Sequence, residues 1–127
     1  MFRESLDQDA RFVMMDLTSG NGAELQSRSK ASDLAVQTDA ALSDPSLRPV
    51  WLRVVRKGDT FTGFIAEDAA GQTFRQVGTP VTITGFASQA FVGLGLSPQT
   101  GFSAFYPAAL PAPNELATAT FDNLTVK

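Results

Sequence analysis

The chain contains no cysteine and no histidine among its 127 residues. The first absence excludes disulfides, thiol nucleophiles and thiolate metal sites, and the second removes the commonest general base and transition-metal ligand. Histidine-dependent triads and zinc centres are therefore excluded. Basic residues are sparse: ten face thirteen acidic ones, for a net charge of −3 and a pI near 4.7. The arginines are scattered singly, so no extended positive surface forms to neutralise phosphates, and nucleic acid is not an expected partner. Long apolar runs are also missing. Stretches such as Ala90-Phe-Val-Gly-Leu-Gly-Leu96 fall far short of the roughly 20 residues that a membrane-crossing helix needs, so no membrane span is expected. The opening Met1-Phe-Arg-Glu-Ser lacks the parts of a secretory signal. A cytoplasmic protein follows if the chain is complete as given; otherwise the chain is a mature or excised piece of a longer secreted or surface protein.

What is present is a set of short β-rich runs. At 43% hydrophobic content, 127 residues suffice for one core, and a single domain over 1–127 is expected. The most informative segment is Trp51-Leu-Arg-Val-Val-Arg-Lys-Gly-Asp-Thr-Phe-Thr-Gly-Phe-Ile-Ala-Glu-Asp68, where two such runs meet at Lys57-Gly58-Asp59. Glycine takes positive φ there without steric cost, which makes the segment a hairpin. Strands are predicted near 1–4, 11–17, 22–28, 33–38, 50–57, 60–67, 73–77, 80–84, 90–96 and 116–126. Turn chemistry separates them at Ser19-Gly-Asn-Gly22, Ser43-Asp-Pro-Ser46 and Ala70-Gly71. Residues 4–10 and 38–47 could each form a helical turn, and neither is long enough to supply a layer. The predicted fold is all-β, an antiparallel β-sandwich. One stretch breaks the pattern: residues 97–114 hold four prolines and three aromatics between two predicted strands. A loop of that length inside a domain is functional or serves as a cover.

Taken in order, Phe2-Arg-Glu-Ser-Leu-Asp-Gln-Asp-Ala-Arg-Phe-Val-Met-Met15, Trp51 to Phe64, Phe91-Val-Gly-Leu-Gly-Leu96 and Ala117-Thr-Ala-Thr-Phe-Asp-Asn-Leu-Thr-Val126 resemble the concanavalin A-like, laminin-G-like jelly-roll modules of bacterial secreted or surface proteins. The resemblance implies a jelly roll and a lectin-like, extracellular role in carbohydrate binding or adhesion, although function transfers weakly across such a fold. Three departures accompany it. The family has strands before the "R-E-S-L" segment, so the first strands of the usual module are expected to be missing, leaving a sheet edge for a partner chain, the aromatic loop or a symmetric oligomer to cover. The turn at Glu67-Asp68-Ala-Ala-Gly-Gln-Thr-Phe74 is lengthened, with Phe74 where the family has tryptophan. The 97–114 loop is longer and more aromatic than the family connection.

Aromatic rings outside the strand pattern offer flat apolar faces to a pyranose or a protein. Phe102, Phe105 and Tyr106 are the leading candidates, with burial over a sheet edge as the alternative. Gln99, Asn114, Asp68 and Gln72 are candidate hydrogen-bonding partners that would fix the orientation of a sugar. Trp51, the one tryptophan, stands at the mouth of an apolar strand, which points to packing rather than to stacking on a ligand. Arg3, Glu4, Arg53 and Arg56 suit guanidinium–carboxylate pairs that fix strand register. Adjacent Glu67 and Asp68 would point to opposite faces of a strand and so are badly placed to work together as the opposed carboxylates of a glycosidase. Asp122 and Asn123 could offer oxygens to calcium, as in some jelly-roll lectins, but no compact run of acidic ligands occurs, and no cofactor is expected.

The sequence thus points to a non-catalytic binding or adhesion module, with a glycan as the leading ligand and a protein partner as the other. A self-assembling subunit that completes its fold by strand sharing is the alternative, and glycan hydrolysis ranks below both.

Overall fold

The computed structural model describes residues 1–18, 22–40, 42, 50–96, 120–121 and 125–126. The chain divides into two compact units, Met1–Gly93 and Leu94–Lys127. The first contains β1 (Phe2–Arg3), β2 (Phe12–Thr18), β3 (Gly22–Arg28), β4 (Val36–Ala40), β5 (Trp51–Lys57), β6 (Thr60–Ala66), β7 (Arg75–Thr82) and β8 (Phe91–Val92). The described residues of the second unit, 94–96, 120–121 and 125–126, lie in no strand. Among the described residues no helix occurs and every strand pairing is antiparallel.

Two sheets result, one ordered β4-β3-β2-β1-β8 and the other β5-β6-β7. The first is a meander in which β8 returns to pair with β1 after the chain has built the second sheet. Alternation decides which side chains face inward. Val13, Met15 and Leu17 of β2 stand opposite Ser27, Leu25 and Ala23 of β3, while β6 turns Phe61, Gly63 and Ile65 to the same interior. Val13, Ala23, Leu25, Phe61, Ile65, Val77, Ile83 and Phe86 form one core drawn from both sheets. Phe61, fully buried, meets Phe2 edge-on at 5.7 Å and Phe86 at 4.9 Å. Side chains of this size contribute about 1.5–3 kcal/mol each on burial.

Glycine is required where the sheets come closest. A Cβ on Gly63 would stand 2.5 Å from Met15 Sδ and 3.0 Å from Leu25 Cδ1. The predicted hairpin forms: Lys57 pairs with Thr60, and Gly58 has φ of 61°.

Several predicted boundaries move. The runs at 73–77 and 80–84 belong to one strand, β7, because Gly78-Thr79-Pro80 is a bulge rather than a break: Phe61 pairs with Val81 and Gly63 with Val77. Gly78 adopts φ of 61°, and Pro80 is tolerated because β7 has no ladder partner on its far side among the described residues. The expected strand at 33–38 forms at Val36–Ala40, and that at 90–96 is reduced to Phe91–Val92. Residues 4–10 make a hydrogen-bonded turn instead of a helical one, with Ala10 N–H donating to Asp7 O at 3.1 Å and Ser5 Oγ to Asp7 Oδ2 at 2.7 Å.

Candidate functional site

The lengthened turn after β6 is built around Asp68. Its carboxylate accepts the backbone N–H groups of Ala70 (3.1 Å), Gln72 (3.0 and 3.1 Å) and Thr73 (2.8 Å), and Gly71 N–H bonds to Asp68 O at 3.0 Å. Hydrogen bonds from Gln72 and Thr73 hold the Asp68 carboxyl below its ordinary pKa of 3.8. Asp68 is thus committed to shaping the turn. Gln72 leaves the turn exposed, and its side chain has no hydrogen-bond partner among the described residues. Neighbouring Glu67 pairs with Arg75 at 2.8 Å, and both line a shallow recess of about 470 Å³ with Ile65, Asp68 and Thr73.

The turn folds back onto β5. Gly71, at φ of 61°, lies directly against the Trp51 indole, where a Cβ would come within 2.5 Å of the ring. The Trp51 ring is therefore half-buried packing, with its Nε1–H buried and without a hydrogen-bond partner among the described residues. Two residues along the same face of β5 stands Arg53, whose guanidinium lies 4.7 Å from the Phe64 ring centroid and 3.9 Å from that of Phe74. Arg53 is exposed, and among the described residues it makes no hydrogen bond or ion pair. Register places Trp51, Arg53, Val55 and Lys57 beside Ala66, Phe64, Thr62 and Thr60, with Gln76 beyond Phe64, so these residues share the outer face of the three-stranded sheet. Strands β5, β6 and β7 hold four basic residues, Arg53, Arg56, Lys57 and Arg75, and no Asp or Glu.

That composition explains why the expected pairing of Arg53 and Arg56 with carboxylates does not occur. Arg53 takes aromatic faces, and Arg56 turns inward to donate to Gly58 O at 2.8 Å and Phe86 O at 3.0 Å. Glu4 finds its guanidinium in Arg11: Nε to Oε2 is 2.6 Å and Nη2 to Oε1 is 2.5 Å. Arg11 also donates to Thr84 O and Gly85 O, and Glu4 Oε1 accepts Ala87 N–H at 2.7 Å. The pair therefore ties the β1–β2 corner to the segment after β7. Its hydrogen bond to Arg11 lowers the Glu4 pKa from the ordinary 4.5. Arg3 bonds to Ser5 O and Asp7 O and lies over Phe12 at 5.8 Å.

The outer face of the five-stranded sheet has the opposite character. Asp16 and Glu24 stand directly across β2 and β3. Gln26 Nε2 donates to Asp16 Oδ2 (3.1 Å) and Glu24 Oε2 (2.9 Å), while Thr18 Oγ1 lies 3.1 Å from Glu24 Oε1. Glu24 is only 2% exposed. Opposed carboxylates on neighbouring strands could in principle serve as acid and base, but burial keeps Glu24 from a bulky substrate.

Among the sequence-derived candidates, Asp68 and Gln72 share the β6–β7 turn; Gln99, Phe102, Phe105, Tyr106 and Asn114, like Asp122 and Asn123, lie outside the described residues. Sequence reasoning missed Phe64, Phe74 and the Asp16–Glu24 pair as site elements. The signal for the first two was present: Trp51 and Arg53 alternate on one strand, and no acidic residue was available nearby to pair with Arg53. Compared with known proteins, the chain matches no family model, no curated protein and no solved structure.

Proposed function

We propose that the chain is a non-catalytic carbohydrate-binding module of a secreted or surface-associated bacterial protein, with its two sheets forming a concanavalin A-like jelly roll. The observation that carries this reading is the outer face of the three-stranded sheet, where Phe64 and Phe74 flank an exposed Arg53 beside Trp51. Flat rings suit the C–H faces of a pyranose, and Gln72 and Arg53 supply donors to its hydroxyls. The aromatic residues Phe102, Phe105 and Tyr106 offer a second platform on chemical grounds. A glycan array probed with the wild-type chain, Phe74→Ala and the double variant Phe105→Ala/Tyr106→Ala separates the two. Loss of retained glycans with Phe74→Ala and an unchanged thermal midpoint assigns binding to the sheet. Selective loss in the double variant assigns it to the 97–114 segment, and a wild-type chain that retains no glycan refutes the reading.

Glycan hydrolysis ranks below binding, because Glu24, which faces Asp16 across β2 and β3, is only 2% exposed. It requires turnover of a bound glycan that Glu24→Gln removes; binding without turnover leaves the first reading in place.

A further inference from the structure

We infer that the outer face of the three-stranded sheet selects acidic sugars, with Arg53 gripping the carboxylate of a uronic acid residue while the ring surface of Phe64 and Phe74 that the guanidinium leaves uncovered carries the sugar ring. This inference rests on the carbohydrate-binding reading and narrows its ligand class.

Charge segregation supplies the argument. The chain as a whole is acidic, with thirteen carboxylate side chains against ten basic ones, yet β5, β6 and β7 contain none of the thirteen. Two of their cations are engaged, Arg56 with backbone carbonyls and Arg75 with Glu67. Arg53 and Lys57 remain exposed on one face of β5. The carboxylates nearest in sequence to this sheet's ends are also occupied: Asp59 accepts Gly85 N–H at 2.7 Å, Glu67 holds Arg75, and Asp68 holds its turn.

Arg53 differs from an ordinary surface arginine in resting on two rings. Contacts to two rings hold the guanidinium plane while leaving its N–H fork without a protein acceptor among the described residues. A planar fork of this kind matches a carboxylate bidentately, and little side-chain freedom is left to lose on binding. A neutral sugar would use the rings but leave the charge unanswered. Lys57 lies four residues along the strand, about 13 Å away, and provides a second positive charge for a longer acidic chain. An acidic peptide meets the charge but offers the rings no flat saturated face, so the sugar fits both halves of the site.

The test is isothermal titration of the full chain with hexasaccharides of galacturonate, mannuronate and hyaluronan, each beside its carboxyl-reduced neutral counterpart, and with a polyglutamate peptide. At least one acid form is expected to bind about 10- to 100-fold more tightly than its reduced counterpart, the range expected for charge-assisted hydrogen bonds. Arg53→Gln is expected to erase that preference, and Arg53→Lys to restore only part of it, since an ammonium lacks the fork. Equal binding of acid and reduced forms overturns the acidic class and leaves sugar binding standing. Binding of neither form overturns both. Polyglutamate binding as tight as the best uronate overturns the sugar in favour of an acidic protein segment. A preference that survives in a folded Arg53→Gln variant overturns the assignment to Arg53.

Discussion

Replacing Gly71 by alanine tests whether the β6–β7 turn rests on Trp51, and Gly58 supplies the control. Both glycines have φ of +61°, but a Cβ at Gly58 meets nothing within 4 Å whereas at Gly71 it lies 2.5 to 2.7 Å from three indole atoms. Alanine in the left-handed region costs about 1–2 kcal/mol, and this applies at both positions. The stiffening of the unfolded chain is also common to both and cancels in the comparison. At Gly71 the ring must retreat by about 1 Å to reach ordinary carbon contact, an overpacking that costs about 1–3 kcal/mol more. Gly58→Ala is therefore expected to lose about 1–2 kcal/mol, and Gly71→Ala about 2–5 kcal/mol, in urea unfolding. Trp51 is the only tryptophan, so its emission maximum reports the displacement directly. A red shift is expected in folded Gly71→Ala and none in Gly58→Ala. Equal stability losses together with an unmoved emission maximum would refute the stacking.

Glu4→Gln is expected to destabilise the fold by about 1.5–3 kcal/mol at neutral pH, because it removes the charge from a partly buried bidentate pair. Since the folded pKa of Glu4 lies below the ordinary 4.5, its stabilisation is fully present above 4.5 and is lost as pH falls through the folded value. The gap between wild type and Glu4→Gln in urea midpoint should therefore close in acid; a gap constant with pH would show that charge is not the cause. Gly63→Ala places a methyl 2.5 Å from Met15 Sδ and is expected to cost about 1–3 kcal/mol. Combining it with Met15→Ala should cost less than the sum of the single losses, and strict additivity in the double-mutant cycle would argue against contact between β6 and β2 at this point.

Strand positions were legible where apolar alternation and turn residues agreed, as from Trp51 to Ala66, where Gly58 marks the hairpin and Phe61, Gly63 and Ile65 keep a strict inward period. They were misread at 73–84 because Gly78 and Pro80 signal a break in any local reading, and only the partner strand reveals that Val77 and Val81 both still reach β6 across a bulge. Charge pairing was less legible. Glu4 sits seven residues from Arg11, and the bond depends on a two-residue strand and a corner whose geometry no local pattern encodes. The Asp16–Glu24 opposition depends on register, which a shift of one residue would have abolished.

The extended turn also accounts for the division of labour among the aromatic residues. Asp68 gathers three amides over the turn, and Gly71 is thereby laid on Trp51. The largest ring on the face is spent on holding the turn, which agrees with the packing role its strand position suggests. Phe74, at the end of the same turn, is then delivered to Arg53 at 3.9 Å, with Phe64 on the adjacent strand completing the contact. A tryptophan at position 74 would add ring area but also an indole N–H, a donor beside a guanidinium that already has no acceptor among the described residues. Phenylalanine brings only ring. Phenylalanine thus adds no donor beside the guanidinium and leaves its fork open to an acceptor that carries negative charge.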